Sequence, residues 1–169
     1  MNIYLHLSIH LLLSILAGYA IFRFYDKKWV AIVGGVLGGF FIDVDHFIDY
    51  FLILGWQFRF DYFLNGWAFA KSDHVYIFFH SWELVLLLLA IFLILKKGVA
   101  KTFILALTLG MCVHLFTDYA INKAPTSIYF ITHRAKNNFE IERLVSEEEY
   151  QEHLEDRELL NENSLNLSQ

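Results

Sequence analysis

The chain contains little cysteine, proline or charge. Its 169 residues include one cysteine and one proline, and 18% of them are charged. The single cysteine, Cys112, excludes an intramolecular disulfide framework, and the single proline, Pro125, permits long uninterrupted helices. No basic stripe is interleaved with aromatic residues, so the sequence argues against nucleic-acid binding. Hydrophobic residues make up 57% of the chain and the mean hydropathy is +0.44, which is typical of a membrane protein.

Four apolar segments are long enough to cross a membrane as helices. They cover residues 3–24, 29–56, 74–95 and 102–121. Two pairs of glycines in the second segment, at 34–35 and 38–39, predict close helix packing. The loops at 23–28 and 96–101 contain six basic residues, which places these loops in the cytoplasm and both termini outside it. We therefore expect a multi-pass, all-α membrane protein.

The last part of the chain has a different composition. Residues 139–169 contain ten acidic and two basic residues. Alternating polar and apolar residues at Ser127–Arg134 and Asn138–Leu144 could pair as a β-hairpin. Ser146 and Glu149 form a capping-box pattern that opens an acidic helix to about residue 160. The predicted organisation is a four-helix transmembrane domain over residues 1–122, followed by a soluble acidic tail over residues 123–169.

The most informative stretch is Phe40–Tyr50, which reads FFIDVDHFIDY. It places Asp43, Asp45, His46 and Asp49 inside an apolar segment. An ionisable side chain within the bilayer costs a few kcal/mol, so such residues indicate a functional site. A bound cation would remove the repulsion between the carboxylates. We therefore expect a metal site in this segment, surrounded by the lipid of the bilayer.

Polar groups on the other three segments lie at a matching depth. At a rise of 1.5 Å per residue, His10, Asp43, His80 and His114 all lie about 10 Å below the outer surface. A second set lies about one turn nearer that surface. Its members are His6, Asp49, His74 and Asp118.

The spacing of these groups suits metal binding, because residues three or four apart share one helix face. Imidazole and carboxylate ligands without thiolate indicate zinc, or alternatively manganese or iron. The candidate ligands exceed the four that a structural zinc needs, so one or two ions are expected. Two other interpretations stay open: a polar network without metal, and an orienting role for Glu83 beside His80. The candidate ligands are His6, His10, Asp43, Asp45, His46, His80, Glu83, His114 and Asp118.

The leading interpretation is a metal-dependent hydrolase of a lipid or a lipid-linked ester or phosphoester, in which the metal activates water. Asp45 or Asp49 would be the general base, and His46 or His74 would protonate the leaving group. Two alternatives are a di-iron or bis-histidine haem oxidoreductase and a metal-ion binding or transport protein. Transport is disfavoured because the inner halves of the segments have few polar groups.

The order of these motifs resembles the YdjM-like family, which comprises LexA-regulated, metal-dependent hydrolases of the bacterial inner membrane. The resemblance covers residues 1–135. It implies an inner-membrane location and a role for the matching residues in metal binding and catalysis. The family usually has a compact HRGxTHS run, whereas here the second histidine follows the first by six residues and the Arg-Gly pair is missing. The matching motifs are His10-Leu-Leu-Leu-Ser14, Asp43-Val-Asp45-His46, His74 with His80-Ser81, and His114-x-x-x-Asp118.

Overall fold

The computed structural model describes residues 3–56, 58–64, 71–122 and 124–166, and these residues contain helices and no named β-strand. The all-α prediction is therefore confirmed for the described part of the chain. The α-helices are α1 Ile3–Tyr25, α2 Lys28–Gly39, α3 Asp45–Leu54, α4 Phe60–Leu64, α5 Trp82–Ile94, α6 Val99–Asn122, α7 Ile131–Lys136 and α8 Glu147–Asn166. Three 3₁₀ helices lie between them at Phe41–Val44, Thr126–Tyr129 and Ile141–Arg143.

Two helices, α1 and α6, are long and apolar enough to cross a membrane. Helix α2 and the segment Phe41–Leu54 would make a third span if taken together, although they are bent by 48°. Helix α5 is apolar but has 13 residues, which corresponds to about 20 Å against a bilayer core of about 30 Å. The described structure thus contains two candidate spans, or three with the bent pair.

The second and third predicted segments are not continuous helices. The second breaks after Gly39, because two adjacent glycines weaken the helix. The Phe40 N–H still donates to the Val36 carbonyl, and this is the last bond of α2. In the third, the helix begins only at Trp82. The backbone before it forms other hydrogen bonds, since the His74 N–H donates to the Ser72 hydroxyl and the Val75 N–H to the Phe139 carbonyl.

The chain divides into two compact units. The first comprises Met1–Val44 and Phe79–Ile131, and the second comprises Asp45–Phe78 and Thr132–Gln169. The predicted domain boundary at residue 122 and the solubility of the tail stay predictions.

In the first unit, α2 packs against both α1 and α6. The glycines of α2 permit this contact. A Cβ atom at Gly35 would lie 2.6 Å from the Ser14 carbonyl oxygen of α1, and one at Gly34 would lie 2.8 Å from the Phe103 carbonyl oxygen of α6. No side chain fits at either position without moving backbone, so the predicted close packing is confirmed.

In the second unit, the residues before α5 pair with the residues after α7. The Val75 N–H donates to the Phe139 carbonyl at 2.9 Å, and the Ile141 N–H donates to the Asp73 carbonyl at 2.8 Å. The predicted hairpin is therefore wrong. The segment from residue 127 to 134 forms 3₁₀ and α-helical turns, and residues 139–141 pair with residues 73–75 instead.

The acidic helix is confirmed as α8, and it extends to Asn166. Its capping box forms as predicted. The Ser146 N–H donates to Glu149 Oε2 at 2.8 Å, and the Glu149 N–H donates to the Ser146 hydroxyl at 3.4 Å.

Candidate metal centre

Six imidazole and carboxylate side chains of the first unit converge. Helix α1 contributes two, the 3₁₀ turn after α2 contributes one, the residues before α5 contribute one, and α6 contributes two. We call this set the His/Asp centre. Its members are His6, His10, Asp43, His80, His114 and Asp118.

Asp118 lies in the middle of the centre, and its two oxygens face different histidines. Oδ1 is 3.1 Å from His10 Nε2 and 3.6 Å from His6 Nε2. Oδ2 is 3.1 Å from His114 Nε2 and 3.5 Å from His80 Nε2. One carboxylate thus connects the histidines of α1 with the other two histidines.

Asp43 completes one side of the centre. Its Oδ1 lies 3.3 Å from Nε2 of both His80 and His114. The two imidazole nitrogens are themselves 3.0 Å apart. Two nitrogens and two carboxylate oxygens, Oδ1 of Asp43 and Oδ2 of Asp118, therefore surround one small volume.

The protonation of His114 follows from its second nitrogen. His114 Nδ1 is 2.9 Å from the Gly39 carbonyl oxygen, which can only accept a hydrogen bond, so Nδ1 carries the proton. In the neutral ring Nε2 then has a lone pair, and this lone pair faces the carboxylates of Asp43 and Asp118. A nitrogen lone pair and carboxylate oxygens that face each other are stabilised by a cation between them. Metal sites with an oriented histidine ligand have this arrangement.

Burial of the His/Asp centre raises the cost of leaving its carboxylates without a compensating cation. His10, His80 and His114 are each 1% exposed, and Asp118 is 4% exposed. Neither nitrogen of His10 forms a hydrogen bond of good geometry with a described residue, although Nε2 lies close to Asp118. Outside the spans, burial and then the charge of Asp118 raise the pKa of Tyr129 to about 12. The nitrogen and oxygen donors fit a divalent ion such as zinc, manganese or iron, so these buried groups could hold a metal ion.

Four predicted site residues belong to the second unit. Asp45 and Asp49 are buried there, and Asp49 Oδ1 accepts the Tyr76 N–H at 3.1 Å. His46 is half-buried, and the His74 ring stacks on Tyr76 with centroids 5.7 Å apart. Their assignments as ligands or catalytic groups stay predictions.

Glu83 accepts two hydrogen bonds within the first unit. Its Oε2 accepts the Ser81 hydroxyl at 2.5 Å and the Ile131 N–H at 3.1 Å. Because Ser81 follows His80 directly, these contacts favour the interpretation in which Glu83 orients the segment that carries His80.

Sequence reasoning missed two residues that matter here. The first is Gly39, whose carbonyl orients His114. The sequence indicated only close packing at the paired glycines, because a backbone contact of this kind leaves no sequence signal. Arg134 lies in the predicted soluble tail, yet it is fully buried in the second unit. A lone arginine in a polar segment carries no signal that distinguishes burial from exposure.

The chain matches no protein-family model, no curated protein and no solved structure. The interpretation of the centre therefore depends on its geometry and on the chemistry of its residues.

Proposed function

We propose that the protein is a membrane-embedded, metal-dependent hydrolase that acts on a lipid or a lipid-linked ester or phosphoester. The observation that carries this proposal is the His114 imidazole. Its Nδ1 is bound to the Gly39 carbonyl, and its Nε2 lies within 3.3 Å of carboxylates of both Asp43 and Asp118. This arrangement suits a metal ligand better than a neutral polar network.

The residues that would hold the metal are those of the His/Asp centre. When bound, a divalent ion polarises the scissile bond and activates a water molecule. His114 and His80 supply neutral nitrogen donors, whereas Asp43 and Asp118 supply negative charge that balances the ion. Gly39 and Glu83 fix the orientation of the segments on which these ligands lie.

A two-ion centre is the form that the ligand sets favour. His6, His10 and Asp118 form one set, and His80, His114 and Asp118 form another. Asp118 belongs to both and presents a different oxygen to each. Paired ions are suited to ester and phosphoester hydrolysis, because they stabilise charge on both the attacking and leaving oxygens.

The proton-transfer roles are proposed for four residues named from the sequence, Asp45, His46, Asp49 and His74. Asp49 is fixed by the Tyr76 N–H, which leaves its other oxygen to accept a proton, and Asp45 is the alternative base. His46 or His74 would donate a proton to the leaving group.

The lipid nature of the substrate is supported by the surroundings of the centre. Large apolar side chains of α1, α5 and α6 are exposed, including Leu12 at 58%, Leu86 at 62% and Phe116 at 62%. In a bilayer these residues would contact acyl chains, and a lipid substrate could reach the centre sideways. A four-span topology in a bacterial inner membrane, with both termini outside the cytoplasm, and the resemblance to YdjM-like hydrolases complete the proposal.

The experiment combines metal analysis with a lipid hydrolysis panel. Wild-type protein is purified in detergent, its metal content is measured by mass spectrometry, and hydrolysis of phosphoester and carboxylic-ester lipids is followed. His114→Ala should lose both metal and hydrolysis. His133→Ala, which removes a histidine of α7 outside the centre, should retain both. Wild-type protein that binds no divalent ion would overturn the proposal.

The geometry disfavours the haem alternative. His80 Nε2 and His114 Nε2 are 3.0 Å apart, and the ring centroids of His10 and His114 are 4.1 Å apart. These separations leave no space for a porphyrin between paired imidazoles. A Soret band in purified protein would reverse this conclusion, and metal-dependent uptake into proteoliposomes would favour transport.

A further inference from the structure

A cavity lies at the other end of the first unit, between the α1–α2 turn and the α5–α6 turn. Its volume is about 410 Å³. Tyr25 is 15 residues beyond His10 in the sequence, so the cavity lies about 22 Å along α1 from the His/Asp centre. It is therefore separate from that centre. Its lining residues are Phe24, Tyr25, Lys27, Lys97, Gly98 and Thr102.

Two lysines of this lining have ammonium groups that are available to a ligand. The Nζ atoms of Lys27 and Lys97 form no hydrogen bond or ion pair with a described residue. Other lysines nearby are engaged, since Lys101 Nζ donates to the Leu95 carbonyl at 2.9 Å and Lys28 Nζ lies 5.3 Å from the Trp29 ring centroid. Two uncompensated positive charges on one cavity favour an anion.

The charged residues around the cavity also favour an anionic ligand. Residues 23–28 and 96–101, which include the two turns, contain six basic residues and one acidic residue, Asp26, which is exposed and is not part of the lining. Asp26 has a φ of 51°, which fits its place in the tight turn that brings Lys27 beside the end of α1. The net field at this end of the unit is therefore positive.

One lining residue is an exposed phenylalanine, and an exposed tryptophan follows two residues after Lys27. Phe24 is 83% exposed, and Trp29 on the first turn of α2 is 72% exposed. Both lie at the end of a candidate membrane span, where aromatic side chains sit at the level of lipid headgroups. An anion that enters here from the bilayer brings acyl chains that these rings can contact.

We propose that this cavity binds the phosphate group of an anionic phospholipid, with Lys27 and Lys97 as its cationic ligands. Phe24 contacts the adjoining acyl region. Basic pockets between membrane helices bind lipid headgroups through the same combination of charge and apolar contact. The site is independent of the proposed hydrolase activity and does not use its metal ligands.

The test uses full-length protein in nanodiscs or detergent and measures bound lipid by native mass spectrometry. Three probes are compared: phosphatidylglycerol, phosphatidylcholine and inorganic phosphate. Wild-type protein should retain phosphatidylglycerol in preference to phosphatidylcholine. The double variant Lys27→Ala/Lys97→Ala should bind phosphatidylglycerol about tenfold or more weakly, whereas the matched double variant Lys28→Ala/Lys96→Ala, which removes the same charge from the same turns, should change it by less than about threefold.

Three results would overturn the proposal. Equal retention of both lipids would show that charge does not select the ligand. Equal losses in the two double variants would show a general electrostatic effect rather than a site. Binding of inorganic phosphate as tightly as phosphatidylglycerol would identify a site for free phosphate. Metal content, measured on the same samples, reports separately on the His/Asp centre and should be the same in all variants.

Discussion

The two compact units bury aspartates in different ways. In the first unit, Asp118 directs both oxygens at imidazole nitrogens, at 3.1 Å from His10 and 3.1 Å from His114. In the second unit, Asp49 directs one oxygen at a backbone donor, the Tyr76 N–H, at 3.1 Å. Two carboxylates of the same kind, both less than 5% exposed, therefore have different neighbours.

This difference indicates where a cation is needed. A carboxylate that accepts a backbone N–H has part of its burial cost offset by the hydrogen bond. A carboxylate that faces an imidazole nitrogen, as Asp118 faces His114 Nε2, is compensated only if a proton or a metal ion lies between the two atoms. We therefore expect bound metal to depend on Asp118 and not on Asp49.

The largest effect should follow from Asp118→Asn. This change removes one negative charge from both ligand sets, so bound metal should fall to about one tenth of the wild-type amount or less. Asp49→Asn is the matched control, and its metal content should be unchanged. Mass spectrometry of the purified proteins measures both. Equal metal loss in the two variants would remove the distinction between the units.

Asp49→Asn should nevertheless impair hydrolysis. The amide keeps an oxygen that can accept the Tyr76 N–H, but it cannot act as a base, so the turnover rate should fall by about 100-fold. The measurement is steady-state lipid hydrolysis at equal metal content. Wild-type turnover in this variant would assign the base to another residue, with Asp45 tested next.

The variant His6→Ala tests whether the His/Asp centre binds two ions or one. The His6 side chain is 20% exposed, whereas that of His10 is 1% exposed, so His6 lies on the open side of the centre. With two ions, the variant should lose about half of the metal and keep the ion held by His80 and His114. Full metal retention would support a single ion, and complete loss would show that the two ligand sets do not act separately.

Several parts of the fold and the site could be predicted from the sequence. Apolar length identified α1 and α6, and the capping box identified the start of α8. The His114 and Asp118 pair was recognisable because residues four apart on one helix share a face, and the same holds for His6 and His10.

The remaining parts depend on tertiary hydrogen bonds. The predicted depths of Asp43 and His80 depend on a uniform helical rise, yet Asp43 lies in a 3₁₀ turn and His80 precedes α5. Both still reach the centre, because the break after Gly39 and the non-helical residues before Trp82 place them there. The predicted hairpin is wrong because residues 139–141 pair with residues 73–75, which are distant in the sequence. Periodicity contains no information about such partners.

The rigidity of the first unit is tested by Gly35→Ala. A methyl group at this position would meet the Ser14 carbonyl at 2.6 Å, so α1 and α2 must separate, and the free energy of unfolding should fall by about 1–3 kcal/mol. Val33→Ala, at a residue of α2 that is 48% exposed, should change it by less than about 1 kcal/mol. Thermal unfolding in detergent compares the two variants. Similar stability in both would show that the helices tolerate wider packing.

The smallest effect is expected in the acidic helix. Ser146→Ala removes the hydroxyl that caps α8, which should destabilise the start of this helix by about 1 kcal/mol. Hydrogen exchange at the first amides of α8 should increase while metal content stays constant. A change in metal content would contradict an effect confined to the start of α8.

X-ray absorption at the metal edge of the purified, metal-loaded protein tests the central claim most directly. The account predicts a first shell of nitrogen and oxygen atoms at about 2.0–2.2 Å, with the outer-shell scattering of imidazole rings. His114→Ala should reduce that imidazole signal. A sulfur shell at about 2.3 Å, which would implicate Cys112, or a metal surrounded only by water oxygens would contradict a centre built from His10, Asp43, His80, His114 and Asp118.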